Sequence, residues 1–558
     1  MAYPQETFTQ TSLIPGSLIW QRRETAARKT LFYQLQVLKD TGRYDAFKLQ
    51  WHPSYADAPD VWPIPNHLFW YYSHLPELLI INARECFINV YLFRDSDVGK
   101  WIEGACYFLH DHPNKEISSA VHELTQMIAS AQQPDGYLNI HFTVVEPGKR
   151  FTNIRDFHEL YNAGHLIEAA LAHHQLYQNN DLLGPLLKYV DLLCRTFGPD
   201  EGQIPGYPGH PEIELALLRL WQRTRDPKHL ELAKYFITER GRLGANGEHY
   251  YRVEAKARGE EPHARMSYWG GTEDALWYYQ AHKPIIEQQT IEGHSVRAMY
   301  LLTAVADLVG MVPATATTAC LKEAVYRLWH NMVECKMYVT GGIGAIKQWE
   351  GFGPNYFLPQ GTDDGGCYAE TCAAIGVMML ADRILQCDLD RQFSDVMELC
   401  LYNAVLTAMS HDGTKFTYVN QLASSDQNLS TREEWFTCAC CPPNVLRLLA
   451  QVGGYVYSHA DGQDQVNVHL YIPSEHKFMS GDDHPVTLVQ KSDWPWSGQV
   501  EFELKTESSS RDISVALRIP GWARSWKVSQ PTYSTLLEAE LSYRSILRHR
   551  RQTWRRDT

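Results

Sequence analysis

The stretch Asp226-Pro227-Lys228-His229-Leu230-Glu231-Leu232-Ala233-Lys234-Tyr235-Phe236-Ile237-Thr238-Glu239-Arg240-Gly241 decides how the chain is read. Asp226 is an N-cap whose carboxylate can accept the unpaired amides of a first helical turn. Pro227 fits the first helical position, where no donor is needed, and Gly241 closes the element. Leu232, Tyr235 and Phe236 form an apolar stripe at helical spacing. The same punctuation recurs outward from this element. Pro211 opens a helix carrying Ile213, Leu217, Leu220 and Trp221, and Cys320, Leu321, Ala324, Val325, Leu328 and Trp329 stripe another. Similar stripes run over 158–178, 294–310, 370–385, 391–410 and 443–455, and Asp95-Ser96 caps a helix starting near Asp97. Many helices of moderate length, with almost no alternating runs from Arg22 to about residue 456, predict an all-α array such as an α/α toroid over 1–456.

After residue 457 the period changes to two. Val466, Val468, Leu470 and Ile472 alternate with polar partners, as do Ile513, Val515, Leu517 and Ile519, with further candidates at 486–490 and 500–505. This predicts a β-sandwich over 457–532. Residues 533–558 read as an atypical basic tail, and Tyr71–Arg94 as an atypical insertion that fits neither a polar loop nor a striped helix. A length of 558 residues exceeds the ~250–300 that one core usually serves, in line with at least two domains.

Charge narrows the partners. The chain has 51 Lys and Arg against 65 Asp and Glu, a net of −14. An acidic surface repels polyphosphate, and the only basic concentration is the last fifteen residues, so a nucleic-acid partner is not expected. Leu75 to Phe93 is apolar overall but holds Glu77, Asn82, Arg84 and Glu85. A charge at a helix centre costs about 2.5–3.5 kcal/mol on insertion, so no membrane span is expected. No basic region followed by an apolar run opens the chain, which points to the cytoplasm.

Cysteine usage carries the chemistry. Twelve Cys are too sparse for a disulfide scaffold, yet Cys438-Ala439-Cys440-Cys441-Pro442-Pro443-Asn444 puts three thiols in four positions before a helix. Core packing and a redox pair are alternatives, but adjacent thiols in a turn can both reach one soft ion such as Zn²⁺. A second cluster, Cys367-Tyr368-Ala369-Glu370-Thr371-Cys372, sets Glu370 and Cys372 at a helix start; with Cys440 and Cys441 they complete a four-ligand set. Upstream, Thr340-Gly341-Gly342-Ile343-Gly344 lacks the Lys-Ser/Thr of a phosphate loop and reads as a loop delivering Glu350. Trp349 and Phe352 flank that acid, and desolvation by them would raise its pKa, as a general acid near neutral pH requires. His158, His210 and His294 each open a helix, where neutral imidazoles facing one axial cavity would hydrogen-bond sugar hydroxyls.

These motifs together resemble glycoside hydrolase family 127, the β-L-arabinofuranosidase-like group. The resemblance runs from about Phe47 to Ala523 and is carried by Asp95-Ser96-Asp97-Val98, Asp135-Gly136-Tyr137-Leu138, His158-Glu159-Leu160-Tyr161, Gly209-His210, Gly293-His294-Ser295-Val296-Arg297, the glycine run at 340–344, Glu370-Thr371-Cys372 and Cys440-Cys441-Pro442. It implies an (α/α)6 barrel catalytic domain followed by a β-sandwich, truncated here, and a zinc held by Glu370, Cys372, Cys440 and Cys441. It further implies Cys440 as nucleophile, Glu350 as acid/base, and His158, His210, His294 and Tyr402 as sugar contacts. The implied reaction is retaining hydrolysis of a β-linked L-arabinofuranoside, from a small-molecule or oligosaccharide substrate, with a homodimer allowed. A sugar epimerase or lyase on the same toroid, or an inactive carbohydrate-binding homologue, are the competing readings.

Overall fold

Pro227–Glu239 is a helix, and the Asp226 side chain accepts the Lys228 amide at 3.0 Å as its cap. The computed structural model describes residues 2–50, 94–260 and 275–529, apart from 362, 364–365, 437, 461–463, 482 and 507–512, together with strands at 537–539, 545–549 and 553–557. The expected insertion at 71–94 lies outside the described residues but for Arg94.

Six helices form a closed ring: α1 (Arg94–Leu109), α2 (Glu159–Tyr177), α3 (Ile213–Thr224), α4 (Ser295–Met311), α5 (Thr371–Leu385) and α6 (Cys441–Ala450). Each packs on the next, and α6 returns to α1. A second helix lies against most of these from outside, such as Leu183–Thr196 on α2, Pro227–Glu239 on α3 and Arg391–Cys400 on α5. Composition explains the two layers. α4 and α5 are buried at nearly every position, whereas Leu183–Thr196 buries only Leu183, Leu186, Tyr189, Val190 and Leu193. A helix apolar all round must be enclosed, and a striped one covers it. Small residues set the spacing of the inner ring. A Cβ on Gly164 of α2 would sit 2.6 Å from Glu212 Cγ, and one on Gly376 of α5 would sit 2.6 Å from Met299 Cβ of α4.

Three expected helix limits shift. The helix expected near Asp97 already includes Arg94, and the Asp95 carboxylate accepts the Ile140 amide at 3.0 Å instead of capping. The stripe over 391–410 is helical to Cys400, then continues as a π-turn at Leu401–Val405. The stripe over 443–455 belongs to α6, which starts earlier at Cys441 and gives way to a 3₁₀ turn at Val452–Tyr455.

The C-terminal part holds two sheets. β1 (Thr11–Leu13), from the start of the chain, joins β4 (Ser474–Met479), β5 (Pro485–Ser492), β6 (Val500–Thr506), β11 (Thr553–Asp557) and β8 (Lys527–Ser529), in that order. The other sheet runs β2 (Tyr457–His459), β3 (Gln465–Val468), β7 (Ile513–Leu517), β10 (Ser545–His549) and β9 (Leu537–Ala539). Side chains join the sheets: the Tyr457 ring stacks on His476 at 4.6 Å, and Gln490 Nε2 donates to Tyr457 Oη at 3.1 Å. Residues 533–558, expected as a tail apart from the sandwich, instead contain three strands paired into both sheets. β11 runs antiparallel to β6 with Arg555 in register with Glu501. Arg518, fully buried, ties this part to the helices by donating to Asp395 Oδ1 at 2.9 Å and to Glu398. Among the described residues no helix is long and apolar enough to cross a membrane.

The ring depends on close approach of its inner helices. Gly376→Ala should therefore lower stability by about 1–3 kcal/mol through overpacking against Met299, measured by chemical denaturation; an unchanged midpoint would contradict the packing described.

Candidate active site

The candidate residues gather at the N-terminal ends of the inner helices. His158, His294, Glu370 and Cys440 are the residues immediately preceding α2, α4, α5 and α6, and His210 stands three residues before α3. Amides of a first turn have no helical partners and carry partial positive charge, so this end of the ring favours anionic side chains.

These ends surround a cavity of about 290 Å³. On one side Glu370, Cys372 and Cys440 line it, while Cys441 is buried behind. Cys372 Sγ lies 3.6 Å from Cys440 Sγ and 3.3 Å from Cys441 Sγ, and the two adjacent thiols are 3.7 Å apart. Glu370 Oε1 is 3.3 Å from Cys440 Sγ and 3.6 Å from Cys441 Sγ. Asn444 Nδ2 donates to Cys372 Sγ at 2.9 Å, and Tyr418 Oη lies 3.1 Å from Cys440 Sγ. A tetrahedral ion at ~2.3 Å from each sulfur would set the sulfurs about 3.8 Å apart. The observed spacing fits that set, and Glu370 Oε2 is a buried acceptor with no protein partner among the described residues. Electrostatics agree. Burial and the neighbouring Cys440 push the Glu370 carboxyl well above its usual range. Burial opposes ionisation of Cys372 too, but the thiols of Cys440 and Cys441 bonded to it pull it down to about 6. Four such acids cannot all ionise together without a counter-cation.

On the other side stand Glu350 and the histidines. Glu350 adopts a left-handed backbone at φ 54°, and its carbonyl accepts from Ser295 N at 3.0 Å and Ser295 Oγ at 2.9 Å. His294 Nδ1 accepts the Val296 amide at 3.2 Å, so its proton sits on Nε2 and is donated to Glu350 Oε2 at 2.9 Å. Burial would raise the Glu350 carboxyl, but hydrogen bonds from His294 and Tyr368, with the Arg297 charge, hold it below its ordinary value. The expected upward shift is thus reversed. Trp349 does not cover the acid; its ring packs on Trp277 at 5.3 Å and its Nε1 donates to Phe352 O. The His158, His210 and His294 rings form a row, 5.7 Å between successive centroids. Burial and the Arg297 charge hold all three imidazoles below their ordinary pKa, so they are neutral. His210 Nδ1 donates to Pro211 O at 2.8 Å, leaving Nε2 as an acceptor.

Residues 14–454 match the family model for the GH127 beta-L-arabinofuranosidase catalytic domain, and residues 465–553 match the middle domain of the same family. The chain belongs to glycoside hydrolase family 127. A curated relative from Bifidobacterium longum subsp. longum, a non-reducing end beta-L-arabinofuranosidase, is 38% identical over 449 residues, 78% of this chain. The chain spans 65% of that relative's length. The crystal structure of a GH127 beta-L-arabinofuranosidase from Geobacillus stearothermophilus T6 superposes with a TM-score of 0.82 at 34% identity, over 98% of this chain and 81% of that one. A second GH127 beta-arabinofuranosidase structure gives 0.80 at 29% identity, over 99% and 80%.

Of the family positions read from sequence, Cys440, Glu350, Glu370, Cys372, His158, His210 and His294 line the cavity, with Cys441 against it. Tyr402 does not. It lies in the π-turn after Cys400, one turn from Glu398 and within the field of Arg518, on the side where the sheets meet the helices. The tyrosines on the wall are Tyr161, Tyr278, Tyr279 and Tyr418, joined by Arg297 and Asp156. Tyr161 and Arg297 were findable: each follows a cavity histidine by three residues, the spacing of one helix face. Tyr418 lies in irregular chain and left no such signal.

Geometry orders the thiols by access. In chelator-treated protein iodoacetamide should modify Cys440, on the wall, before Cys441 and Cys372, which are buried. Peptide mass spectrometry showing Cys441 modified first would contradict this arrangement.

Proposed function

We propose that this chain is a retaining glycosidase that releases β-L-arabinofuranosyl units or a related furanoside, with Cys440 as nucleophile and Glu350 as acid/base. The site lies at one end of an (α/α)6 barrel made by the ring of inner helices and their outer partners. One observation carries the reading: Cys440 and Glu350 stand on the wall of a single small cavity, and the wall's other carboxylates are committed elsewhere. Asp156 is held by Arg155 at 2.7 Å and by Tyr279 at 2.7 Å, and Glu370 is turned into the thiols. A cavity of about 290 Å³ lies at the small end of the ~300–1,000 Å³ of ligand pockets, which suits one terminal sugar. The name of the Bifidobacterium relative, a non-reducing end enzyme, supports the same substrate class.

Glu370, Cys372, Cys440 and Cys441 would hold a zinc ion, which when bound keeps the thiols ionised near neutral pH. Neutral His158 and His210 hold sugar hydroxyls. A sugar filling the cavity removes water from Glu350, and that desolvation raises its hold on a proton. Glu350 gives this proton to the departing glycosidic oxygen as Cys440 Sγ attacks the anomeric carbon; the C–O bond breaks and a C–S bond forms. Glu350, again a carboxylate beside His294 Nε2–H, then takes a proton from water, whose oxygen displaces the sulfur. Two displacements retain configuration. Tyr418 Oη, 3.1 Å from Cys440 Sγ, would donate to that sulfur once it is ionised and support it as it leaves.

The wild-type chain should carry about one zinc and hydrolyse an aryl β-L-arabinofuranoside, and Cys440→Ser should reduce turnover to background. Robust turnover by Cys440→Ser, or a metal-free active protein by elemental analysis, would overturn the assignment. The His294 bond generates a second expectation. Because it lowers the Glu350 pKa, His294→Ala should move the alkaline limb of kcat/KM to higher pH, since the acid form then survives further up the scale. An unmoved limb would place the titrating acid elsewhere.

A further inference from the structure

Lys100 lies on α1 with no exposed surface. Its Nζ donates to Tyr161 Oη at 2.6 Å, and Tyr161 lines the cavity together with Cys372 and Cys440. An ammonium only donates, so the phenol accepts from Lys100 and must give its own proton to a different group. The carboxylates one turn away on the same helix are already taken: Asp97 by Arg43 at 2.7 Å, and Glu103 by Arg447 at 2.8 Å. Glu212 Oε1 lies 3.0 Å from His165 Nδ1, and it forms no ion pair with Lys100 among the described residues. Lys100 forms no ion pair among the described residues. A buried charge without a partner is costly, so its compensation must lie in the field of nearby groups. α1 packs directly on α2, which carries Tyr161, and on α6, which begins at Cys441.

We infer that Lys100 is the counter-charge of the thiol and carboxylate cluster, a positioning residue that favours cation loading at Glu370, Cys372, Cys440 and Cys441. The inference rests on reading those four residues as metal ligands. Three thiolates and a carboxylate carry four negative charges, and a divalent ion leaves two. The loaded cluster is therefore net negative, although a cation has entered. A fixed positive charge behind Tyr161 on the same cavity wall favours that state, and the outcome is not reversed by its repulsion of the ion itself. Arg447, by contrast, is neutralised by Glu103 and supplies little net field.

The test is the zinc dissociation constant of the full-length protein, measured by chelator competition. Lys100→Met should weaken zinc by about tenfold or more, the usual scale for partners behind the metal ligands, and Lys100→Gln should do the same should the methionine variant misfold. Lys100→Arg, which keeps the charge, should restore most of the affinity. Circular dichroism of the metal-free variants should match wild type, because a neutral side chain removes an unpaired buried charge. Wild-type affinity in a folded Lys100→Met or Lys100→Gln protein would overturn the role of Lys100 while leaving the ligand set intact. Equal loss in Lys100→Arg would assign the effect to shape and overturn it as well. Wild-type protein that takes up no zinc would overturn the ligand set and this inference together.

Discussion

The arrangement rests on one electrostatic constraint: three thiols and a carboxyl crowded at helix N-termini, where any two of their ligand atoms are within 4.8 Å. Left to themselves these acids cannot all ionise together, because burial and mutual repulsion oppose the fully charged set. The fold answers with positive ends of helices, with the buried ammonium of Lys100, and with a spacing that suits a tetrahedral ion. The inner ring exists to hold these ends together, and the glycines that let its helices touch are as much part of the site as the sulfurs.

The same cavity is polarised from its opposite wall. Neutral imidazoles and the Arg297 guanidinium, stacked 4.6 Å from the Tyr278 ring centroid and 5.0 Å from that of Tyr279, face the thiol cluster across the space. Glu350 belongs to that wall through His294, and its side chain keeps about a third of its surface accessible, as the proposed acid/base role requires. Ionised in the free protein and desolvated by substrate, it can change protonation state within one turnover. Residues held more deeply, such as Glu370, cannot.

Much of this was legible in the sequence because local rules dominated it. Asp226 and Pro227 fixed a helix start, and the histidines and cysteines sat where helices begin, so their convergence followed once the helices formed a ring. What failed depended on tertiary direction. Trp349 and Phe352 flank Glu350 in sequence, yet a left-handed turn at Glu350 sends its carboxylate toward His294 while Trp349 packs on Trp277. Tyr402 occupied a helical stripe that a π-turn redirected toward the sheets. The strands after residue 533 were hidden because arginines at alternate and adjacent positions disguised a period of two, which only the ladder with β6 and β7 reveals.

The central claim is that a cysteine sulfur, rather than a second carboxylate, takes the sugar. The direct measurement is peptide mass spectrometry of the Glu350→Gln protein quenched during turnover of an activated aryl β-L-arabinofuranoside. Deprotonation of water is then impaired, and the intermediate should accumulate as one anhydropentosyl unit on the peptide holding Cys440, located to that sulfur by fragmentation. A sugar found on Glu370, on Asp156 or on Cys438 would contradict the account.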